Sequence, residues 1–175
     1  MNRAVFVIFS QFILLLLQLV LGNWGLTLPF SLLGVFCTAL AMGRTWGLIA
    51  GLFSGMTLAI LYGGSWNLLY VLINPLAAGV LNWWIERHDE DINIRFWQPG
   101  ACAGVLNALP ALMAVLYRTF AAGSYQFELH WLILKILWSA AVSAGLFVFM
   151  LLLEEAAGEY LGLPRFLTRK GGIKR

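Results

Sequence analysis

Residues 4–21 read AVFVIFSQFILLLLQLVL, and this stretch decides the class of the fold. It carries no charge and runs close to the ~20 apolar residues that a helix needs to cross a hydrocarbon core about 30 Å thick. Arg3 precedes it, as in a secretory leader. The run is longer than the apolar part of such a leader, and no small-x-small cleavage pattern follows, so it is read as a retained first helix. Gln11 and Gln18 are its only strongly polar interior residues. They are seven apart and share one helix face. That face either bonds to a neighbouring helix or meets a ligand.

Outward from this run, the chain keeps the same character. Of its 175 residues 61% are hydrophobic and 11% charged, where a soluble domain carries roughly a quarter charged residues. The excess implies that most of the outer surface meets lipid. The expected fold is all-α: a polytopic membrane protein, a single integral membrane domain over 1–175. Six transmembrane helices are expected at about 4–21, 28–42, 45–62, 66–85, 99–119 and 131–153. The breaks between them are Gly22 to Pro29, Gly43-Arg44, Gly63-Gly64-Ser65, the polar stretch ERHDEDINIR from Glu86 to Arg95, and Phe120 to His130. Pro75 in the fourth span lacks a backbone N–H and is expected to kink it.

Orientation follows from lysine and arginine placement. With both ends inside, cytoplasmic segments hold Arg3, Arg44, Arg87, Arg95, Arg165, Arg169, Lys170, Lys174 and Arg175, against Arg118 and Lys135 outside. This predicts an N-in/C-in bundle with a basic cytoplasmic tail at 164–175. It also accounts for the net charge of +3 without nucleic acid. Seven of the eight tryptophans lie near expected span ends, where amphipathic rings prefer to sit, and Trp138 alone falls within a span. Cys37 and Cys102 lie far apart in apolar runs, without metal or redox spacing, and are read as small core residues.

The most regular pattern is Gly47, Gly51 and Gly55 on the third span, extended back to Gly43 beside Arg44. Residues four apart stack on one face, and glycines there let another backbone approach closely. The groove either packs inside the bundle or accepts a partner's helix; Gly43, Arg44, Gly47, Gly51 and Gly55 are the candidate interface residues. Ala78-Gly79-Val80-Leu81-Asn82 recurs as Ala103-Gly104-Val105-Leu106-Asn107, too short a match to define a repeat.

Catalytic patterns are missing: no HExxH, no GxSxG and no paired intramembrane aspartates occur. Ionisable residues inside spans mark relays and catalysis. Here only Lys135 qualifies, and it can snorkel outward. No catalytic residue, cofactor or metal site is expected, and His88 among Glu86, Asp89, Glu90 and Asp91 reads as a solvated loop. A small-molecule pocket in the outer half would be built from Trp24, Asn67, Tyr70, Tyr117, Tyr125 and Trp138; the same residues also fit an interfacial belt.

Residues 28–84 carry a resemblance. A Pro-opened apolar span (LPFSLLGVFCTALAMG) leads to Arg44 at a turn. A glycine-spaced span (GLIAGLFSGMTLAILYGG) and a span ending in small residues (LLYVLINPLAAGVLNWW) follow. This pattern resembles the bacterial rod shape-determining protein MreD family. The resemblance implies a non-enzymatic scaffold of the cell-elongation machinery in the bacterial inner membrane. It also implies an MreC-like partner, with MreB and peptidoglycan synthases beyond it, and contact with membrane lipids. A second resemblance is to the substrate-binding S component of energy-coupling-factor (ECF) vitamin transporters. That family implies a vitamin-like ligand in the outer half and docking to ECF transmembrane and ATPase subunits.

Overall fold

The structure, a computed structural model, describes residues 3–24, 28–63, 65–87, 97–122 and 128–160. Within these every regular element is helical: α1 (Arg3–Asn23), α2 (Phe30–Met42), α3 (Arg44–Tyr62), a 3₁₀ turn (Ser65–Leu68), α4 (Leu69–Arg87), α5 (Trp97–Ala122) and α6 (Glu128–Tyr160). The stretch 88–96, the residues around Tyr125 and the tail 164–175 lie outside the described residues.

Helix α2 is the centre. Its sequence FSLLGVFCTALAM is apolar nearly all round, and every residue from Phe30 to Leu40 is buried. A helix without a polar face has no side to give to water, so it takes the middle of the bundle. Helices α1, α3, α4, α5 and α6 all pack against it. Gly43 alone joins α2 to α3, at φ 94°, a backbone region that glycine enters at little cost. The chain folds back so sharply there that a Cβ on Gly47 would lie 2.5 Å from the Ala39 Cβ.

Two antiparallel hairpins flank the centre. In α3/α4 the backbones nearly touch: a Cβ on Gly51 would lie 2.8 Å from Pro75 Cα, and one on Gly55 would meet the Tyr70 carbonyl. In α5/α6 the same device recurs, with Gly100 against Ser143 and Ala144, and Gly104 against Ser139 and Ala140. Small residues at such seams replace the hydrophobic drive that lipid removes. The α5/α6 hairpin leans on α2 through an edge-to-face pair of Phe36 and Phe147, 6.4 Å apart at 88°.

The bundle is apolar outside and partly polar inside. Ile60 is 80% exposed, and Leu76 and Phe149 also face outward. The fully or nearly fully buried residues include Gln11, Gln18, Ser31, Thr38, Ser54, Asn74, Ser139 and Ser143. Water would drive the opposite distribution. Four helices are long and apolar enough to cross a membrane, at Ala4–Asn23, Arg44–Tyr62, Trp97–Ala121 and His130–Glu154. The chain is therefore a membrane protein of all-helical build. Helix α2, with 13 residues, is about 20 Å long at ~1.5 Å per residue, shorter than the ~30 Å hydrocarbon core.

Some boundaries differ from the sequence reading. Helix α4 starts at Leu69 rather than 66, because the chain after Gly63 first makes a 3₁₀ turn. Asn67 closes that turn by donating its side-chain amide to the Gly63 carbonyl. Helix α4 then runs unbroken through Pro75. Helix α6 continues past 153 to Tyr160, since LEEAAGEY offers no residue that stops a helix before Gly158.

Candidate functional site

The glycine face is used by the chain itself. Gly47 faces Ala39 of α2, Gly51 faces Asn74 and Pro75, and Gly55 faces Tyr70 and Val71. All three are buried. Of the two uses open to this face, internal packing is therefore the one adopted, and a second helix has no room on it. Gly43 supplies the turn, and Arg44 is the one member of the series on the outer surface. The recurrent pentapeptide does not mark equivalent sites: Gly104 is pressed on α6, whereas a Cβ on Gly79 would meet nothing within 4 Å.

Gln11 and Gln18 do share an inward face, with different outcomes. Gln18 Oε1 accepts the Ser31 backbone N–H at 3.0 Å, and its Nε2 donates to the Tyr62 hydroxyl at 3.3 Å. The Tyr62 ring lies 6.1 Å from that of Tyr70, and Tyr70 donates its hydroxyl to the Asn107 carbonyl at 3.1 Å. This polar seam ties α1, α2, α3, α4 and α5 together at one end of the bundle. Gln11 packs on Gly34 of α2, and neither of its amide atoms has a hydrogen-bond partner among the described residues.

The six candidate pocket residues do not converge. Tyr70 is buried in the seam, while Trp24, Tyr117 and Trp138 face outward. Asn67 is spent on its turn, Tyr117 stacks near Trp66 with centroids 5.7 Å apart, and Tyr125 lies outside the described residues. The five described residues share no cavity; Trp138 lines a separate hollow on α6 with Trp131 and Lys135. Among the described residues no group of three His, Cys, Asp or Glu side chains comes together; the stretch around His88 lies outside them.

Two furrows run along α4 instead. The first is a gap of about 420 Å³ between α4 and α5, lined by Phe36, Ile73, Ala77, Trp84, Gln98, Pro99 and Cys102 among others. At the Tyr70 end of α4 the joint is closed by the Tyr70–Asn107 hydrogen bond, and beside it the 3₁₀ turn meets α5 through Trp66 and Tyr117. Cys37 is buried as expected, but Cys102 is exposed and lines this gap. Its reading as a core residue fails because α5 turns that face toward the open joint. The second furrow, about 520 Å³, lies between α3 and α4 and runs from Arg44 and Trp83 to Leu52 and Val71. Leu76, Val80 and Trp83 form the ridge between the two.

The sequence reading also missed Glu154. It lies in the last turns of α6, and one carboxylate oxygen is buried with no hydrogen-bond partner among the described residues. Its position just past an apolar run hid it. Gly100 and Gly104, spaced four apart, carried the same signal as the α3 glycines and were legible. Comparison with family models, with curated proteins and with solved structures gives no match.

Proposed function

We propose that this chain is a non-enzymatic membrane scaffold, similar to MreD in role, that holds a partner's transmembrane helix in the bacterial inner membrane. In this reading all six helices cross, both ends face the cytoplasm, and α2 spans with the help of Leu28 and Pro29 at its start. The partner is an MreC-like protein, and the wider assembly is the cell-elongation machinery. What supports the reading is the open joint between α4 and α5. Apolar side chains from both helices line it, and it reaches back to Phe36 of the central helix. A gap of this kind accepts a bulky apolar side chain from a neighbouring helix, as ridges fill grooves in helix packing. The buried polar residues bond within the bundle or sit against its own helices, which fits a holding role better than transport of a polar cargo.

Co-expression with an MreC-like partner and affinity purification tests this. Cys102→Trp places an indole in the gap and should strongly reduce partner recovery while the protein itself is still produced in folded form. Undiminished recovery would refute docking at this joint. A vitamin released from the purified protein and identified by mass spectrometry would replace the scaffold with the S-component reading. The dispersal of the five described candidate pocket residues gives that reading no support.

A further inference from the structure

The furrow between α3 and α4 has a cation at one end and hydrocarbon along the rest. Arg44 stands at the first turn of α3 beside Trp83, and Leu48, Leu52, Leu72 and Pro75 line the trough beyond it. Arg44 is exposed and makes no ion pair with any described residue. The trough arises from the glycine seam. Gly51 and Gly55 draw α4 against α3 on the inner side, and on the outer side Gly79 leaves bare backbone where a side chain would otherwise fill the crease.

The length of the furrow selects its occupant. Along α3 the lining runs from Arg44 to Leu52, about 12 Å, and along α4 from Trp83 to Val71, about 18 Å, at ~1.5 Å per residue. One leaflet of the hydrocarbon core is about 15 Å deep, half of ~30 Å. A partner helix would need a track twice as long, whereas an acyl chain entering from the boundary ends about where the furrow ends. A tryptophan and an arginine at the mouth suit the headgroup level. An arginine there matches a phosphate, because its fork of N–H donors fits phosphate oxygens in pairs.

We propose that this furrow binds an anionic glycerophospholipid, with one acyl chain in the trough and its phosphate on Arg44. The site lies across α4 from the partner joint, with Leu76, Val80 and Trp83 as the ridge between them.

The test uses the whole chain in a neutral detergent, with phosphatidylglycerol and phosphatidylcholine of identical acyl chains as probes and native mass spectrometry as the readout. Wild type should retain phosphatidylglycerol about fivefold more tightly than phosphatidylcholine, as expected for one basic residue at an anionic surface. Arg44→Gln should abolish that preference, and Arg44→Lys should keep most of it. Gly79→Leu should reduce retention of both lipids. It should not lower thermal stability in lipid-free detergent, because its Cβ meets nothing within 4 Å. A phosphatidylglycerol preference that survives in Arg44→Gln, or lipid retention unchanged in Gly79→Leu, would overturn the proposal. Dimers lost in Gly79→Leu with lipid retention unchanged would assign the furrow to a second copy instead.

Discussion

Replacing Gly51 and Gly79 by alanine, one at a time, makes the same chemical change in two different settings. Both glycines lie inside helices, so each alanine gains about 1 kcal/mol of helix propensity. At Gly51 the new methyl would lie 2.8 Å from Pro75 Cα and 3.0 Å from the Asn74 carbonyl carbon. Carbon atoms rest at about 3.5–4.0 Å, so α3 and α4 must separate by roughly 1 Å. The neighbouring Asn74–Ser54 hydrogen bond, 2.6 Å long, then stretches to about 3.6 Å and ceases to be one. Overpacking costs about 1–3 kcal/mol and the lost interhelical bond about 0.6 kcal/mol. After the propensity gain, Gly51→Ala should destabilise by about 1–2 kcal/mol, a fall in Tm of about 4 °C at ~2–4 °C per kcal/mol. Gly79→Ala meets nothing and should raise Tm by about 2–4 °C through propensity alone. The assay is built into the chain: Cys37 is fully buried and reacts with a thiol dye only on unfolding, with Cys102→Ser removing the exposed thiol. Equal shifts of the two variants in the same direction would refute the close-packed α3/α4 seam.

Three further outcomes follow from the buried polar residues and the charge pattern. Gln18→Leu strands the Ser31 N–H and should destabilise by about 1–3 kcal/mol, whereas Gln11→Leu removes two unpartnered amide atoms and should be neutral or stabilising. Thermal unfolding of the two variants side by side checks this, and equal losses would contradict it. Ser54→Ala leaves Asn74 Nδ2, nearly fully buried, without its acceptor and should cost about 1 kcal/mol, within the range measured for interhelical bonds in membranes. An unchanged Tm would show that another group takes the amide. Reporters fused at Met1 and at Arg175 should both be active in the cytoplasm, and a C-terminal fusion active on the outer side would rule out six crossings.

The helical class and the helix order were legible because an uninterrupted apolar run has few other solutions, and because glycine pairs mark where a chain must turn. The register of helix contact was half legible. Glycine spacing identified the packed face of α3, but the same spacing serves an internal seam and an external one. Only the position of Pro75 and Tyr70 across it decides which. The α4–α5 joint was not legible, since a gap is defined by two helices failing to meet and no residue pattern encodes that. Cys102 shows the consequence: one thiol in an apolar run is core or surface depending on a neighbour's tilt. Glu154 was missed for a related reason. A carboxylate just past a hydrophobic stretch reads as the start of a tail, and the extra turns of α6 that carry it inward come from LEEAAGEY, a good helix sequence in its own right.

The placement of the glycines explains why α4 carries a furrow on each side. Each hairpin is clamped by a pair of glycines four apart, Gly51 and Gly55 in one and Gly100 and Gly104 in the other. Both hairpins then lean on α2 through large side chains or the turn, at Phe36–Phe147 and Ala39–Gly47. Clamping fixes the inner edge of each pair, and α2 fixes the distance between pairs, so α4 and α5 cannot also close on each other along their full length. Helix α4 therefore presents a ridge of Leu76, Val80 and Trp83 with a trough on each side. Phe36 is buried where the gap reaches the central helix, and a Phe36→Ala cavity there costs about 3–5 kcal/mol. Phe36 thus serves twice: its ring anchors the α5/α6 hairpin through Phe147, and it lines the α4–α5 gap.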